Sequence, residues 1–190
     1  MHKSRSTLPA LAVQLLLTCA VIDVRAETVH HPSPYAGQQA RAIKSLSEQD
    51  VDDLLAGRGA GFAKAAELNG YPGPAHVLEL REPLKLSEAQ LAATQALMAN
   101  HRATAQRLGK EVVRAERSLD DAFRDHTADE GSVRRLTANV ARIEGELRAE
   151  HLSTHLAQKA LLTTEQVERY AELRGYVNPL AGPGQHQHRH

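Results

Sequence analysis

Two histidines four residues apart, in the run His151-Leu152-Ser153-Thr154-His155, carry the strongest chemical signal in the chain. On an α-helix that spacing puts both imidazoles on one face a turn apart, a workable bidentate arrangement for a divalent metal. It is not a zinc-protease signature, because that motif needs a general base at the second position and Leu152 stands there. Met98 and His101 form another one-turn pair, Glu150 adjoins His151, and His76 precedes both groups. Imidazoles with a thioether or a carboxylate suit zinc, nickel, cobalt or copper. The same histidines could instead line a hydrogen-bonded or wet interhelical seam that needs no metal, and Met98 alone reads as core filler.

Whether these groups meet depends on the helices that carry them. Leu91, Thr94, Met98, His101, Ala105, Leu108, Val112, Ala115, Leu119 and Ala122 recur in steps of three and four, which predicts one long helix from Ser87 to about His126. Val133, Leu136, Val140, Ile143 and Leu147 repeat the pattern in a second helix that runs to about Leu161. The break at Thr127 to Gly131 is short enough to force an antiparallel hairpin. With the turn centred between about 126 and 130, His101 should face a window from His151 to Lys159 that includes His155. His151 continues the inward seam four residues after Leu147, and His155 lies at its edge.

The helix starts are written in a repeated phrase. Leu86-Ser87-Glu88-Ala89-Gln90 and Leu162-Thr163-Thr164-Glu165-Gln166 each offer an N-cap hydroxyl and a glutamine at N3, which is a capping box. Leu86 with Leu91, and Leu162 with Val167, add hydrophobic staples. Leu46-Ser47-Glu48-Gln49-Asp50-Val51 is a shorter echo with an acidic N3. Short helices are expected at Ser47 to Ala56, at about Gly61 to Leu68, and from Pro74 to the Glu82-Pro83 stop. A final one runs from Thr163 to Arg174. No stretch alternates as a strand does, so the fold class is all-α: a long antiparallel helical hairpin with short flanking helices.

Aromatic residues make up only 3% of the chain, and there is no Trp. A core of Ala, Leu and Val is thin, which favours a homodimer. Residues 1–26 have a basic start (His2, Lys3, Arg5), an apolar run from Leu8 to Val21 and a small-x-small end at Val24-Arg25-Ala26. That pattern predicts an export signal cleaved after Ala26 and a periplasmic protein. The one cysteine, Cys19, lies inside this segment. Cleavage removes three basic residues of 23 and one acidic of 23, leaving 20 against 22, a balance that speaks against nucleic-acid binding. An extended leader is expected at 27–45, short helices at 46–85, the hairpin domain at 86–176, and a disordered His-rich tail at 177–190.

Two L-[S/T]-x-x-Q phrases flanking a helical hairpin behind an export signal resemble the LTxxQ family of periplasmic proteins, which includes Spy/CpxP chaperone and stress proteins, ZraP, and CnrX-like metal sensors. The resemblance covers Leu86 to Tyr176. It implies a hairpin that dimerises into a curved cradle, with ATP-independent chaperone activity in some members and metal sensing in others.

Two functional expectations follow. As a chaperone or envelope-stress protein, the chain would hold unfolded clients on Leu152, Leu156 and Arg148, on the side of the second helix away from its seam. As a metal sensor or resistance protein, it would read an ion through His101, His151 and His155 with Met98 and Glu150, and signal to a membrane-bound regulatory partner. No cofactor is required by the first reading, and the second needs only the transition metal. No catalytic triad or Cys-His pair is present, and Gly57-Arg58-Gly59-Ala60-Gly61 lacks the strand and lysine of a phosphate loop, so an enzyme is not expected.

Overall fold

Capping boxes start four of the helices among the described residues, and each is formed by the side chains the sequence supplies. In the computed structural model, which describes residues 33–177, a 3-10 turn at Gln38–Ala40 precedes six helices. These are α1 (Glu48–Ala56), α2 (Lys64–Glu67), α3 (Pro74–Glu79), α4 (Glu88–Arg124), α5 (Glu130–Ala160) and α6 (Thr164–Leu173). Among the described residues there is no strand, and no helix is long and apolar enough to cross a membrane. The chain divides at Ala36, and the architecture below is that of the unit from Gly37 onward. The expected export signal and the tail beyond Val177 lie outside the described residues.

Ser47 with Asp50, Ser87 with Gln90 and Thr163 with Gln166 close the expected boxes at α1, α4 and α6. A fourth was not legible as a motif: Asp129 caps α5 and Ser132 returns the bond. The interhelical break therefore ends at Asp129, and Gly131 lies inside α5 rather than in the turn. The end of α4 is a Schellman turn, with Thr127 N–H on the Ala122 carbonyl at 3.0 Å and His126 N–H on that of Phe123 at 3.2 Å. His126 takes the left-handed position, φ 56°, where glycine is the usual occupant.

The two glutamines do more than cap. Gln90 Nε2 donates to the Leu161 carbonyl at 2.9 Å and to Gln166 Oε1 at 2.7 Å, while its Oε1 accepts from Ser87 N–H. Gln166 mirrors this, donating to the Leu84 carbonyl and to Gln90 Oε1, both at 3.1 Å, and accepting from Thr163 N–H. Each amide thus uses both donors and both acceptor sites. The repeated phrase ties the start of α4 to the start of α6 across the open end of the hairpin.

Packing forms two apolar clusters. The larger joins the middle of the hairpin (Ala105, Leu108, Val112, Val140, Ile143, Leu147) to Leu54 of α1 and to Ile43. The smaller joins Val77, Leu84 and Tyr170 near the open end. Along α4 and α5 the positions between them are buried but polar: Thr94, His101, His151, Thr154 and Gln158. Within the expected extended leader, residues 37–45 instead turn and dock, while 27–32 lie outside the described residues. Ile43 is 2% exposed, Lys44 N–H reaches Asp120 Oδ1 at 3.0 Å, and Ser45 Oγ reaches Glu116 at 2.6 Å. An apolar side chain with a pocket available is not left in water.

α1 crosses α4 at Gly109, where an added Cβ would overlap the Leu54 carbonyl oxygen. In an isolated helix Gly→Ala gains about 1 kcal/mol of propensity. Overpacking against fixed backbone costs roughly 1–3 kcal/mol. Gly109→Ala is therefore expected to lower the urea midpoint, and an increase would contradict this contact. His126→Gly should do the opposite. Relief of a left-handed non-glycine residue, reduced by glycine's entropy, leaves about 1 kcal/mol of gain, or roughly 2–4 °C in Tm by calorimetry.

Candidate metal centre

The polar layer brings two of the three candidate histidines face to edge. His101 of α4 and His151 of α5 have ring centroids 4.6 Å apart at 68°. Both are buried, at 8% and 4% exposure. His101 Nδ1 lies 3.1 Å from Glu150 Oε1 and 3.0 Å from Thr154 Oγ1, and the Thr154 hydroxyl donates to the same carboxylate oxygen at 3.4 Å. A carboxylate can only accept, so Nδ1 carries a proton and Nε2 is the ring nitrogen left for a metal. A carboxylate behind one ring nitrogen is the arrangement that orients metal-ligating imidazoles.

His155 lies in the window expected to face His101, but it does not meet it. Thr94 pairs with Gln158 at 3.2 Å and His101 with His151, and both pairs centre on residue 126. That is the low end of the expected range. At this register His151 faces His101, Thr154 one turn on bonds its Nδ1, and each step along a helix turns the side chain by about 100°, so His155 is carried off the seam. His155 points instead to the 71–74 turn, donating Nδ1–H to the Tyr71 carbonyl at 2.7 Å. Nε2 is again the ring nitrogen left for a metal. Gly73 makes room for the ring: a Cβ there would stand 2.8 Å from Cε1 and 3.0 Å from Nε2 of His155.

A cavity of about 530 Å³ opens between the hairpin and the segments from Ala56 to His76. His101, His151, His155, Met98, His76 and Glu67 all line it. His76 is held through Nδ1 by Glu79 at 3.0 Å. The ring of His151 stacks on Phe62, with centroids 5.9 Å apart and planes at 23°. Its Nε2 is buried and has no hydrogen-bond partner. Burial pushes the His151 pKa down to about 4, His101 and His155 press the same way, and Glu150 opposes them. The ring is neutral near pH 7, the form that binds metals.

The donor chemistry fits a borderline transition metal, with three imidazoles and a nearby thioether on one cavity. As the side chains stand, no group of three or more His, Cys, Asp or Glu among the described residues is close enough to share one ion. Capture would need imidazole rotation toward a common point. Of the remaining candidates, Glu150 reaches His101 from outside the cavity lining, Leu152 is half-buried, Arg148 is exposed, and Leu156 is 57% exposed. Sequence reasoning passed over Thr154, Phe62 and Glu67. A threonine inside an H-x-x-x-H run at a seam position was the available signal for the first. No protein-family model, curated protein or solved structure matches this chain.

The depressed His151 pKa has a definite consequence for stability. The unfolded chain takes up the proton near 6.5 and the folded chain only near 4, so the unfolded state binds more protons between these values. Stability is fully present above about pH 6.5 and is lost as pH falls toward 4. Asp50, Asp129 and Glu165 are held below their ordinary carboxyl values by cap hydrogen bonds. Their contributions fade only at lower pH. Tm of the metal-free protein is therefore expected to decline between pH 6.5 and 4, and His151→Phe should flatten that decline. An identical slope in the variant would refute the assignment.

Proposed function

We propose that the protein binds a divalent transition metal in the cleft of its helical hairpin and serves as an exported metal sensor or metal-binding resistance protein. One observation carries this reading: three imidazoles from two helices line a single cavity, and the buried Nε2 of His151 has no hydrogen-bond partner. Unpaired polar atoms in such positions are costly, and an ion supplies the missing partner. His101, His151 and His155 would hold the ion, Met98 is the adjacent soft donor, and Glu150 orients His101. The bound ion would add positive charge and a fixed link between α4 and α5. A homodimer and a membrane-bound regulatory partner belong to this reading as its means of signalling.

A second reading, ATP-independent chaperone activity in the periplasm, is favoured by Leu156, which is 57% exposed on the flank of α5 with exposed Arg148 two turns away. The segments from Ile43 to Leu54 cover much of the inner face of the hairpin, so clients would meet that outer flank.

Calorimetric titration with zinc, nickel, cobalt and copper tests the first reading. In a background with His186, His188 and His190 replaced by Asn, one ion per chain is expected. His151→Ala should abolish that binding, and Glu150→Gln should weaken it roughly 10- to 100-fold, as loss of an orienting partner does. Unchanged binding in His101→Ala, His151→Ala and His155→Ala would sink it. Suppression of client aggregation without metal, lost in Leu156→Glu, would favour the second.

A further inference from the structure

One largely buried carboxylate extends the metal-binding reading, on which this inference rests. Glu67, at the end of α2, has a side chain only 13% exposed, and its two oxygens have different surroundings. Oε1 accepts from the Tyr170 hydroxyl at 2.5 Å and the Tyr176 hydroxyl at 3.0 Å, and lies 3.7 Å from Arg174 Nε. Oε2 is buried without a hydrogen-bond partner. It stands 3.7 Å from His155 Nδ1, whose proton is already given to the Tyr71 carbonyl, and Glu67 lines the same cavity as the three histidines.

We propose that Glu67 is the anionic ligand of the site, through Oε2, and that its other oxygen connects occupancy of the site to the C-terminal helix α6. Three neutral imidazoles contribute no charge to offset a dication, and a carboxylate does so at once. Glu150 is the other acid nearby, but it is engaged with His101 Nδ1 and Thr154. Two residues of the cavity lining carry a buried atom without a partner, His151 its Nε2 and Glu67 its Oε2, a nitrogen and an oxygen donor of the kinds such an ion takes together. Tyr170 is 2% exposed and donates its hydroxyl to Oε1. When an ion draws charge from the carboxylate, Oε1 becomes a weaker acceptor, and the hydrogen bonds to Tyr170 and Tyr176 register the change. Tyr170 belongs to the apolar cluster with Val77, Leu84 and Leu173, so the signal reaches the end of the hairpin where Gln90 and Gln166 meet.

Cobalt absorption and zinc-induced change in tyrosine emission test this in the full-length exported chain, whose lack of Trp leaves the tyrosines visible. Glu67→Gln is expected to weaken Co²⁺ binding about 10- to 100-fold and to shift the visible bands, because a neutral amide replaces a charged ligand. Tyr170→Phe should keep Zn²⁺ affinity within a few fold but lose most of the emission change. Wild-type affinity and spectrum in Glu67→Gln, with binding absent in His151→Ala, would overturn the role of Glu67 and leave the histidine site standing. No binding by the parent protein removes both. If Glu67→Gln loses its helical circular dichroism, Tyr170→Phe decides, and an undiminished emission response there overturns the coupling.

Discussion

The reciprocal amide pair of Gln90 and Gln166 is the constraint on which the hairpin's order depends. Each side chain caps its own helix, accepts and donates across the gap, and takes a carbonyl from the neighbouring chain segment. An amide with all four positions satisfied in one geometry has no second arrangement of equal energy. The pair therefore fixes where α6 begins relative to α4, and with it how far α5 has run before it ends at Leu161. Register in the middle of the hairpin follows. A displacement of α5 by one residue would turn His151 about 100° from His101 and bring a different side chain to the seam.

Between the two apolar clusters the chain keeps a layer that apolar side chains could have filled. Thr94, His101, His151, Thr154 and Gln158 are all less than a tenth exposed, and some of their polar atoms are satisfied only by one another. His151 Nε2 and Gln158 Oε1 are left without partners there, each a loss of about 1–3 kcal/mol relative to a paired group. In a chain whose core is mostly Ala, Leu and Val, that is a large fraction of ordinary stability. Among the described residues half of the unpartnered buried side-chain atoms lie in this layer, and the others are Glu67 Oε2 and Asp120 Oδ2.

The helices were legible because their signals are local. Ser47, Ser87 and Thr163 announce caps within four residues, and the three-four spacing from Leu91 to Leu147 sets out the hairpin without reference to anything distant. The convergence of His101 with His151 followed from antiparallel numbering, but a turn uncertain by a few residues could not separate His151 from His155 as its partner. Asp129 with Ser132 as a cap, and Gly131 inside α5, escaped because neither fits the commoner acidic or amide N3. Glu67 could not be found at all. It sits in a four-residue helix with no periodicity, and its partners Tyr170 and Tyr176 are 103 and 109 residues away. The bond that turns His155 aside is to a backbone carbonyl, which every residue has and no sequence marks.

The donors around the cavity come from four places that are remote along the chain: α2, the start of α3, α4 and α5. In the unfolded chain only the pairs Met98 with His101 and His151 with His155 are near neighbours, so a ligand that needs the full set meets it in the native state alone. By mass action such a ligand at a hundred times its dissociation constant stabilises the fold by about 2.7 kcal/mol. A chain with a single cysteine has no internal disulfide to hold it together. A ligand that met only that native set would tie the folded population of the chain to its own concentration.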